Sequence, residues 1–344
     1  MNGYFPSVYG NDALRIRLGN AVLQGSLPHA LLFEGKEGSG KKHFATLLAA
    51  ALCCEKHSPH ALPCTECAAC RKILNRLSVD VSYLDREDRA TIGIERVREL
   101  RSDMHLSSTE LQNKVYIIDH AETLTQEAQN ALLVSIEEPP PNVFVFLLAT
   151  RTDTILPTIK SRVQSIKMQS FSASELEDYL ISNVSAASKL KYDDENAFRA
   201  ILLSSDGAIG RALELLESKE KDALLQERTL TDGIMSALTS KASFSQLFEK
   251  VSLLPTKRQE LAPAFASLLR ALRDLILLKR DEEAVLLYHT DRARAAEEAE
   301  SLSIRYLLAL YDTISSAENA CALNTNISAL LSSLTNDLYA CRSV

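Results

Sequence analysis

Two kinds of hydrophobic pattern divide the chain. In the first part, short apolar runs alternate with stretches of helical period. Ala30-Leu31-Leu32-Phe33 ends at Gly35 and gives way to a helical stretch from about Lys41 to Cys54. Val115-Tyr116-Ile117-Ile118 stops at Asp119. Leu124, Ala128, Ala131, Leu132 and Ile136 then recur at helical spacing until Pro139-Pro140-Pro141 breaks the pattern. Val143 to Leu148 is six consecutive apolar residues. Runs that are apolar on both faces belong to parallel strands covered by helices on each side, so this part predicts an α/β domain.

Beyond about Met168 the period changes. Ser170 to Ser174 is a polar joint with Phe171 set in it, and from Ala173 onward every apolar pattern is helical. Ser172 or Ser174 is placed to cap the helix carrying Leu176, Tyr179, Leu180 and Ile181. A second helix around Ala212, Leu213, Leu215 and Leu216 follows Gly207 and Gly210. From about Thr231 to the end the pattern is all-helical, with one stripe through Leu268, Leu272, Leu275 and Ile276 and another through Ile304, Leu307, Leu308, Tyr311 and Ile314. Leu254-Pro255 and Ala262-Pro263 predict breaks.

Composition narrows the class. At 344 residues the chain is long enough for two or three domains with their own cores. An apolar fraction of 46% with a net charge of −7 excludes disorder, and 11 Gly with 10 Pro exclude collagen-like repeats. The longest small-apolar run, Ala45 to Cys54 interrupted by Thr46, is far short of the ~20 residues of a membrane span. Tyr4, Phe5, Asp12, Arg15 and Arg17 leave no apolar core for a signal peptide, so the expected location is cytoplasmic, with no membrane partner. Net acidity argues against a protein that binds nucleic acid alone through a broad basic face, while leaving room for a local contact within an assembly.

Gly35-Lys36-Glu37-Gly38-Ser39-Gly40-Lys41-Lys42 follows a strand and opens a helix, the setting of a phosphate-binding loop. Glycines let backbone N–H groups converge on phosphate oxygens, the helix N-terminus adds its dipole, and Lys41 supplies a point charge. The last position departs from the pattern. A Ser or Thr hydroxyl there normally ligates Mg²⁺, whereas protonated Lys42 offers donors and no lone pair. Asp119 sits where a Walker B aspartate would reach the metal through water, but its neighbour is His120, not the Glu that orients an attacking water.

Five of the seven cysteines fall between Cys53 and Cys70. Cys64-Thr65-Glu66-Cys67-Ala68-Ala69-Cys70 is a doubled C-x2-C, and four thiolates make the closed tetrahedral site of a structural zinc ion. Either Cys53 or Cys54 completes the set, with Cys54 taken as the fourth ligand. An iron–sulfur cluster or free thiols are the alternatives. His57 and His60 lie in the same segment and read as loop histidines, and no other histidine shows a catalytic pattern. Glu137-Glu138 ends a helix before prolines and reads as structural or interfacial. Lys160, Arg162 and Lys167 make a modest basic cluster that either faces phosphate in an assembly or is simply solvated.

A phosphate loop, a four-cysteine insertion, Val115 to Asp119, Asn130-Ala131-Leu132-Leu133 running to Glu137-Glu138-Pro139-Pro140, Leu147-Leu148-Ala149-Thr150, then Ser161-Arg162: this order resembles the bacterial replicative clamp-loader subunits of the AAA+ family. Pro28-His29-Ala30 is similar to the family's entry into its first strand. The resemblance covers residues 1–215 with specific motifs and the remainder, including Asn324-Thr325-Asn326, more loosely. It implies a RecA-like α/β domain with a parallel sheet over 1–169 carrying a zinc module at about 53–71, a small helical lid over 170–225, and a helical collar over 226–344.

Two branches of the family compete. Gamma/tau subunits resemble the chain but keep an intact phosphate loop and the Asp-Glu pair. Delta-prime subunits are more permissive, and they share stretches like Gly93 to Glu99 and Gly207 to Leu215, so Lys42 and His120 favour that branch. The sensor-2 arginine of gamma/tau falls on Gly210 here, with Arg211 one position later. What the resemblance implies is ATP or ADP held by Gly35, Gly38, Gly40, Lys41, Lys42, Asp119, Thr150 and Arg211, and zinc held by Cys54, Cys64, Cys67 and Cys70. Arg162, in a Ser-Arg-Val version of the family's Ser-Arg-Cys motif, would act as an arginine finger toward a neighbouring gamma/tau subunit, and Val163 would matter little. The implied partners are gamma/tau and delta subunits in a hetero-oligomeric ring, with the sliding clamp and primed DNA reached through it. A gamma/tau-like motor, or a zinc-bearing P-loop scaffold outside replication, are the rival readings.

Overall fold

The computed structural model describes residues 3–87, 89–217, 220–322 and 326–343, so Asn324 and Thr325 lie outside the described residues. The chain divides into two compact units, residues 1–172 with 207–211, and residues 173–206 with 212–344.

The first unit is built on five parallel strands: β1 (Ala30–Glu34), β2 (Val81–Leu84), β3 (Lys114–Ile118), β4 (Val143–Ala149) and β5 (Gln164–Lys167). Their order across the sheet is β2-β3-β4-β1-β5. The register of β1 sets Leu31 beside Phe146 and Phe33 beside Leu148, and Leu31 beside Gln164 on the other side. Because strand side chains alternate between faces, each apolar run feeds two cores. Leu31, Phe33, Val115, Ile117, Phe146 and Leu148 face one core, completed by α1 (Asp12–Leu23), α2 (Lys41–Leu52) and α3 (Ala68–Leu74). Ala30, Leu32, Tyr116, Ile118, Val145 and Leu147 face the other, completed by α4 (Ile94–Met104) and α5 (Gln126–Glu137). This is the three-layer sandwich that the doubly apolar runs predict. The short helix α6 (Pro157–Lys160) precedes β5.

Local chemistry sets the ends of these elements. Thr125 caps α5 by accepting from the Ala128 N–H, and the Pro139–Pro141 run follows its last turn. Helix α2 starts after Gly40 and stops at Leu52, so Cys53 and Cys54 fall beyond its end instead of within it. Strands β2 and β5 carry no uninterrupted apolar run. In β5 only Ile166 is buried, as suits a sheet edge.

The second unit is helical: α7 (Ala173–Asn183), α8 (Ser185–Asp193), α9 (Glu195–Ser204), the greater part of α10 (Ile209–Glu217), α11 (Glu220–Thr239), α12 (Phe244–Ser252), α13 (Arg258–Leu278), α14 (Arg292–Ser301), α15 (Ile304–Ala322) and α16 (Ile327–Ala340). Its main core runs from Ile234 to Cys341 and takes in Leu268, Leu272 and Leu275 of the first predicted stripe and Leu307 and Ile314 of the second, with Ile276 and Tyr311 packed against it. Leu308 is instead exposed, because the buried face of α15 runs through Tyr306, Leu307, Leu310 and Ile314. Pro255 falls in the break between α12 and α13, as its sequence context predicts. Pro263 does not break the chain: it lies inside α13. An exposed proline in the second turn removes one backbone bond, and the long apolar face that follows outweighs that loss. Among the described residues no helix is long and apolar enough to cross a membrane.

Candidate functional site

β1 lies between β4 and β5, and the loop leaving its carboxyl end opens over the crevice where open α/β sheets bind ligands. In that loop Gly38 and Gly40 have φ of +71° and +84°, conformations that suit glycine, and Gly40 is the N-cap of α2. Lys41 is buried, and its ammonium donates to the carbonyls of Gly35 and Lys36, both at 2.8 Å. Burial pushes its pKa below the usual lysine value, against the opposing pull of Asp119, Glu122 and Glu37. The Ser39 hydroxyl is buried in the loop with no hydrogen-bond partner. On the outer side of the loop, the Gly210 N–H donates to the Gly38 carbonyl at 2.8 Å, and a Cβ at Gly38 would lie 2.4 Å from the Arg211 nitrogen. The backbone of Gly210-Arg211 therefore rests directly on the loop.

Lys42 turns toward the strand ends. Its ammonium lies 3.0 Å from Asp119 Oδ2 and 3.9 Å from Asp85 Oδ2, so the residues that follow β3 and β2 converge on one cation. The second oxygen of Asp119 accepts the His120 N–H at 3.0 Å. His120 Nδ1 faces Glu122 at 3.4 Å, and Glu122 in turn accepts the Thr150 hydroxyl at 2.6 Å. Thr150, expected at the nucleotide, is thus already bonded within the strand-end network. Sequence reasoning missed Asp85 and Glu122. An acid directly after the four-residue strand Val81–Leu84 is the signal that finds the first, once that strand is recognised.

The donor set separates two groups that a loop of this type holds. For a phosphate it fits: left-handed glycines, a helix N-terminus, Lys41 and an unpartnered buried hydroxyl all belong to one short loop. For Mg²⁺ it does not fit. The position that should give an oxygen ligand gives an ammonium, already set against the aspartate the metal would need.

The sulfur atoms of Cys54, Cys64, Cys67 and Cys70 all lie within 4.8 Å of one another, and these four residues could hold a metal ion. The spacing works because Cys67 caps α3: the Cys67 N–H points at the Cys64 sulfur and the Cys70 N–H at the Cys67 sulfur, both at 3.4 Å. Burial opposes ionisation of Cys64, yet the N–H groups of Cys67 and Glu66 and the thiols of Cys54 and Cys67 bring it down to about 7. Cys53 stands apart, directed at the Asn113 carbonyl and pushed up to about 12 by burial. His57 and His60 are exposed and outside the cluster.

At another edge of the same unit, Arg162 follows α6. Its Nε pairs with Glu137 Oε1 at 2.5 Å, and Nη1 donates to the Thr158 carbonyl at 3.1 Å. Lys160 donates to the Thr152 carbonyl, and Lys167 is exposed on β5. Val163 contributes more than the sequence suggests, being buried in the core beneath α5.

A doubly covered parallel sheet with a glycine-rich loop after β1 and an aspartate ending β3 defines a P-loop protein of the AAA+ type. Residues 10–172 match the family described as DNA polymerase III, delta subunit. The tau subunit of DNA polymerase III from Bacillus subtilis is 31% identical over 295 residues, covering 83% of this chain and 50% of tau. The delta' subunit of the same organism is 27% identical over 271 residues, covering 78% of each. A gamma subunit-related protein from Thermotoga maritima superposes with a TM-score of 0.49 at 18% identity, over 94% of this chain and 98% of that one. The chain belongs to the DNA polymerase III clamp-loader family and is related to its gamma and tau members. It spans half the length of the tau relative.

Proposed function

We propose that this chain is a delta-prime-type clamp-loader subunit: it assembles with gamma/tau and delta subunits in the cytoplasm and helps place the sliding clamp on primed DNA, without hydrolysing ATP itself. The observation that carries this reading is the ion pair between Lys42 and Asp119, 3.0 Å apart, beside a histidine where a hydrolytic glutamate would stand. Gly35, Gly38, Gly40 and Lys41 bind and orient the nucleotide's phosphates, with Arg211 at the rim of the loop. Magnesium, where a loader subunit holds it, neutralises phosphate charge. Here no residue at position 42 can ligate it.

In the same reading Arg162 is the group supplied to a neighbour. Its position at an exposed corner, on a short helix end and oriented by Glu137, supports a guanidinium that reaches the γ-phosphate of an adjoining gamma/tau site and stabilises charge in the transition state. Cys54, Cys64, Cys67 and Cys70 hold one structural zinc ion; a closed set of four thiolates leaves no open coordination position for catalysis. Residues 1–169 form the α/β domain, 170–225 a lid and 226–344 a collar. The helical core from Ile234 to Cys341 supports the last boundary, since the buried residues described between Leu176 and Leu202 are not part of it.

A gamma/tau-type motor is the rival, favoured by the higher identity to tau, 31% against 27% to delta'. Steady-state ATPase of the purified chain separates the two. Negligible turnover is expected; robust Mg²⁺-dependent turnover that Lys41→Ala abolishes would remove the delta-prime reading.

A further inference from the structure

We propose that Lys42 is a built-in counter-cation that replaces the magnesium ion, so that the phosphate loop binds a nucleoside di- or triphosphate in metal-free form. The proposal rests on the reading of the loop as a nucleotide site and goes beyond the loss of hydrolysis. Lys42 is the second residue of α2, directly after Lys41, at the position whose side chain would approach a metal. Its ammonium sits 3.0 Å from one carboxylate and 3.9 Å from another, at the ends of two adjacent strands. Those are the groups a divalent ion would draw on.

Magnesium cannot be added to this arrangement without removing something. It demands six oxygen ligands at ~2.0–2.1 Å in near-octahedral geometry, and it repels an ammonium held a few ångströms away. Both oxygens of Asp119 already have a partner, Oδ2 the Lys42 ammonium and Oδ1 the His120 N–H, and although each keeps a lone pair, a divalent ion placed there would stand beside that ammonium. The ammonium, by contrast, has three donors and needs only one for Asp119, so it can turn another toward a phosphate oxygen while keeping its carboxylate. Two consecutive lysines then serve different ends of the same anion. Lys41 leaves the Gly35 and Lys36 carbonyls to meet phosphate, and Lys42 bridges phosphate to Asp119 as a metal would.

A P-loop that relies on magnesium to neutralise phosphate charge loses that neutralisation when the ion is chelated. Here that charge is covered by a side chain that no chelator removes.

The test is equilibrium binding of ADP and ATP to the full chain, by calorimetry or a fluorescent nucleotide, in excess Mg²⁺ and in EDTA. The chain as it stands is expected to bind equally well, to within about twofold, or more tightly in EDTA. Lys42→Thr restores a hydroxyl and should bind at least about tenfold more tightly with Mg²⁺ than without. Lys41→Ala should lose binding in both buffers. Affinity of the unaltered chain that falls about tenfold or more in EDTA overturns the proposal, and so does absence of binding in both buffers. Should Lys42→Thr fail to fold, the comparison of the two buffers on the unaltered chain still decides. A chain that needs Mg²⁺ to bind yet does not turn over ATP overturns this proposal and leaves the delta-prime reading standing; turnover removes that reading instead.

Discussion

The Arg162 guanidinium is held by the Glu137 carboxylate, Nε to Oε1 at 2.5 Å, which ties the end of α6 to the last residue of α5. Both side chains are about two-fifths exposed, and a pair in that position is worth roughly 0–1 kcal/mol to the fold. Its effect is orientation.

Arg162→Ala should therefore leave folding and assembly unchanged. In a complex reconstituted with gamma/tau and delta partners it should lower DNA-stimulated ATPase, because an arginine finger is worth ~10³–10⁵ at the one interface it serves. Arg162→Lys should not rescue, since an ammonium lacks the planar fork. Glu137→Gln keeps shape and loses charge, and should give an intermediate rate. An unchanged rate in Arg162→Ala would sink the trans-arginine role.

Metal analysis of the chain, purified without chelator, should find about one zinc ion per chain. Cys67→Ser removes a thiolate ligand while its hydroxyl can still cap α3, and should release most of the metal and lower the thermal midpoint of the α/β unit. Cys53→Ser should retain it, because that thiol faces Asn113. Metal content near zero in the unaltered chain would dismiss the four-cysteine site.

Two buried aspartates act as clasps on loops. Asp80 accepts the N–H groups of Thr109, Glu110 and Leu111, and Asp274 those of Leu287, Tyr288 and His289. Burial raises the pKa of Asp274, but the His289 ring and those N–H groups more than offset it and hold the carboxyl below its ordinary value. Asp80 shifts the same way, with Lys114 adding to its three N–H donors. A depressed carboxyl stabilises the fold above its unfolded pKa of ~3.9, and that contribution is lost as pH falls through the lower folded value. Stability should thus be flat near neutrality and drop below about pH 4. Asp274→Asn should cost about 3 kcal/mol at pH 7 and flatten the acid limb; a variant with the same acid midpoint as the parent would refute the clasp.

Gly38 and Gly40 share a left-handed backbone but not the same surroundings. A methyl at Gly38 would strike the Arg211 backbone, whereas one at Gly40 meets nothing within 4 Å. Gly40→Ala should cost roughly 1–2 kcal/mol of backbone strain. Gly38→Ala adds a collision and should abolish nucleotide binding outright. Equal losses in the two variants would show that the Gly210-Arg211 contact does not matter to the loop.

Much of the α/β unit can be read from sequence because β1, β3 and β4 are buried on both faces and must be continuously apolar. The edge strand β5 needs only Ile166 inside, so its polar residues conceal it. Helix α4 keeps Val97, Leu100 and Met104 inward, but charged residues surround them and mask the period. The cysteine spacing and the phosphate loop are local and legible for that reason. The meeting of Lys42 with Asp85 and Asp119 is not, since it depends on β2 and β3 being neighbours, and sequence order alone does not say so.

Helix α2 starts at the phosphate loop and runs out beside Cys54, about 18 Å away at ~1.5 Å per residue. Ten of its twelve residues are buried, so it is a beam embedded along its length, not a lever pivoting at one end. Fraying at the cysteine end would stop within the first embedded turn. Nucleotide affinity should consequently be indifferent to whether the metal is present, and the two sites can be gained or lost separately without either one silencing the other.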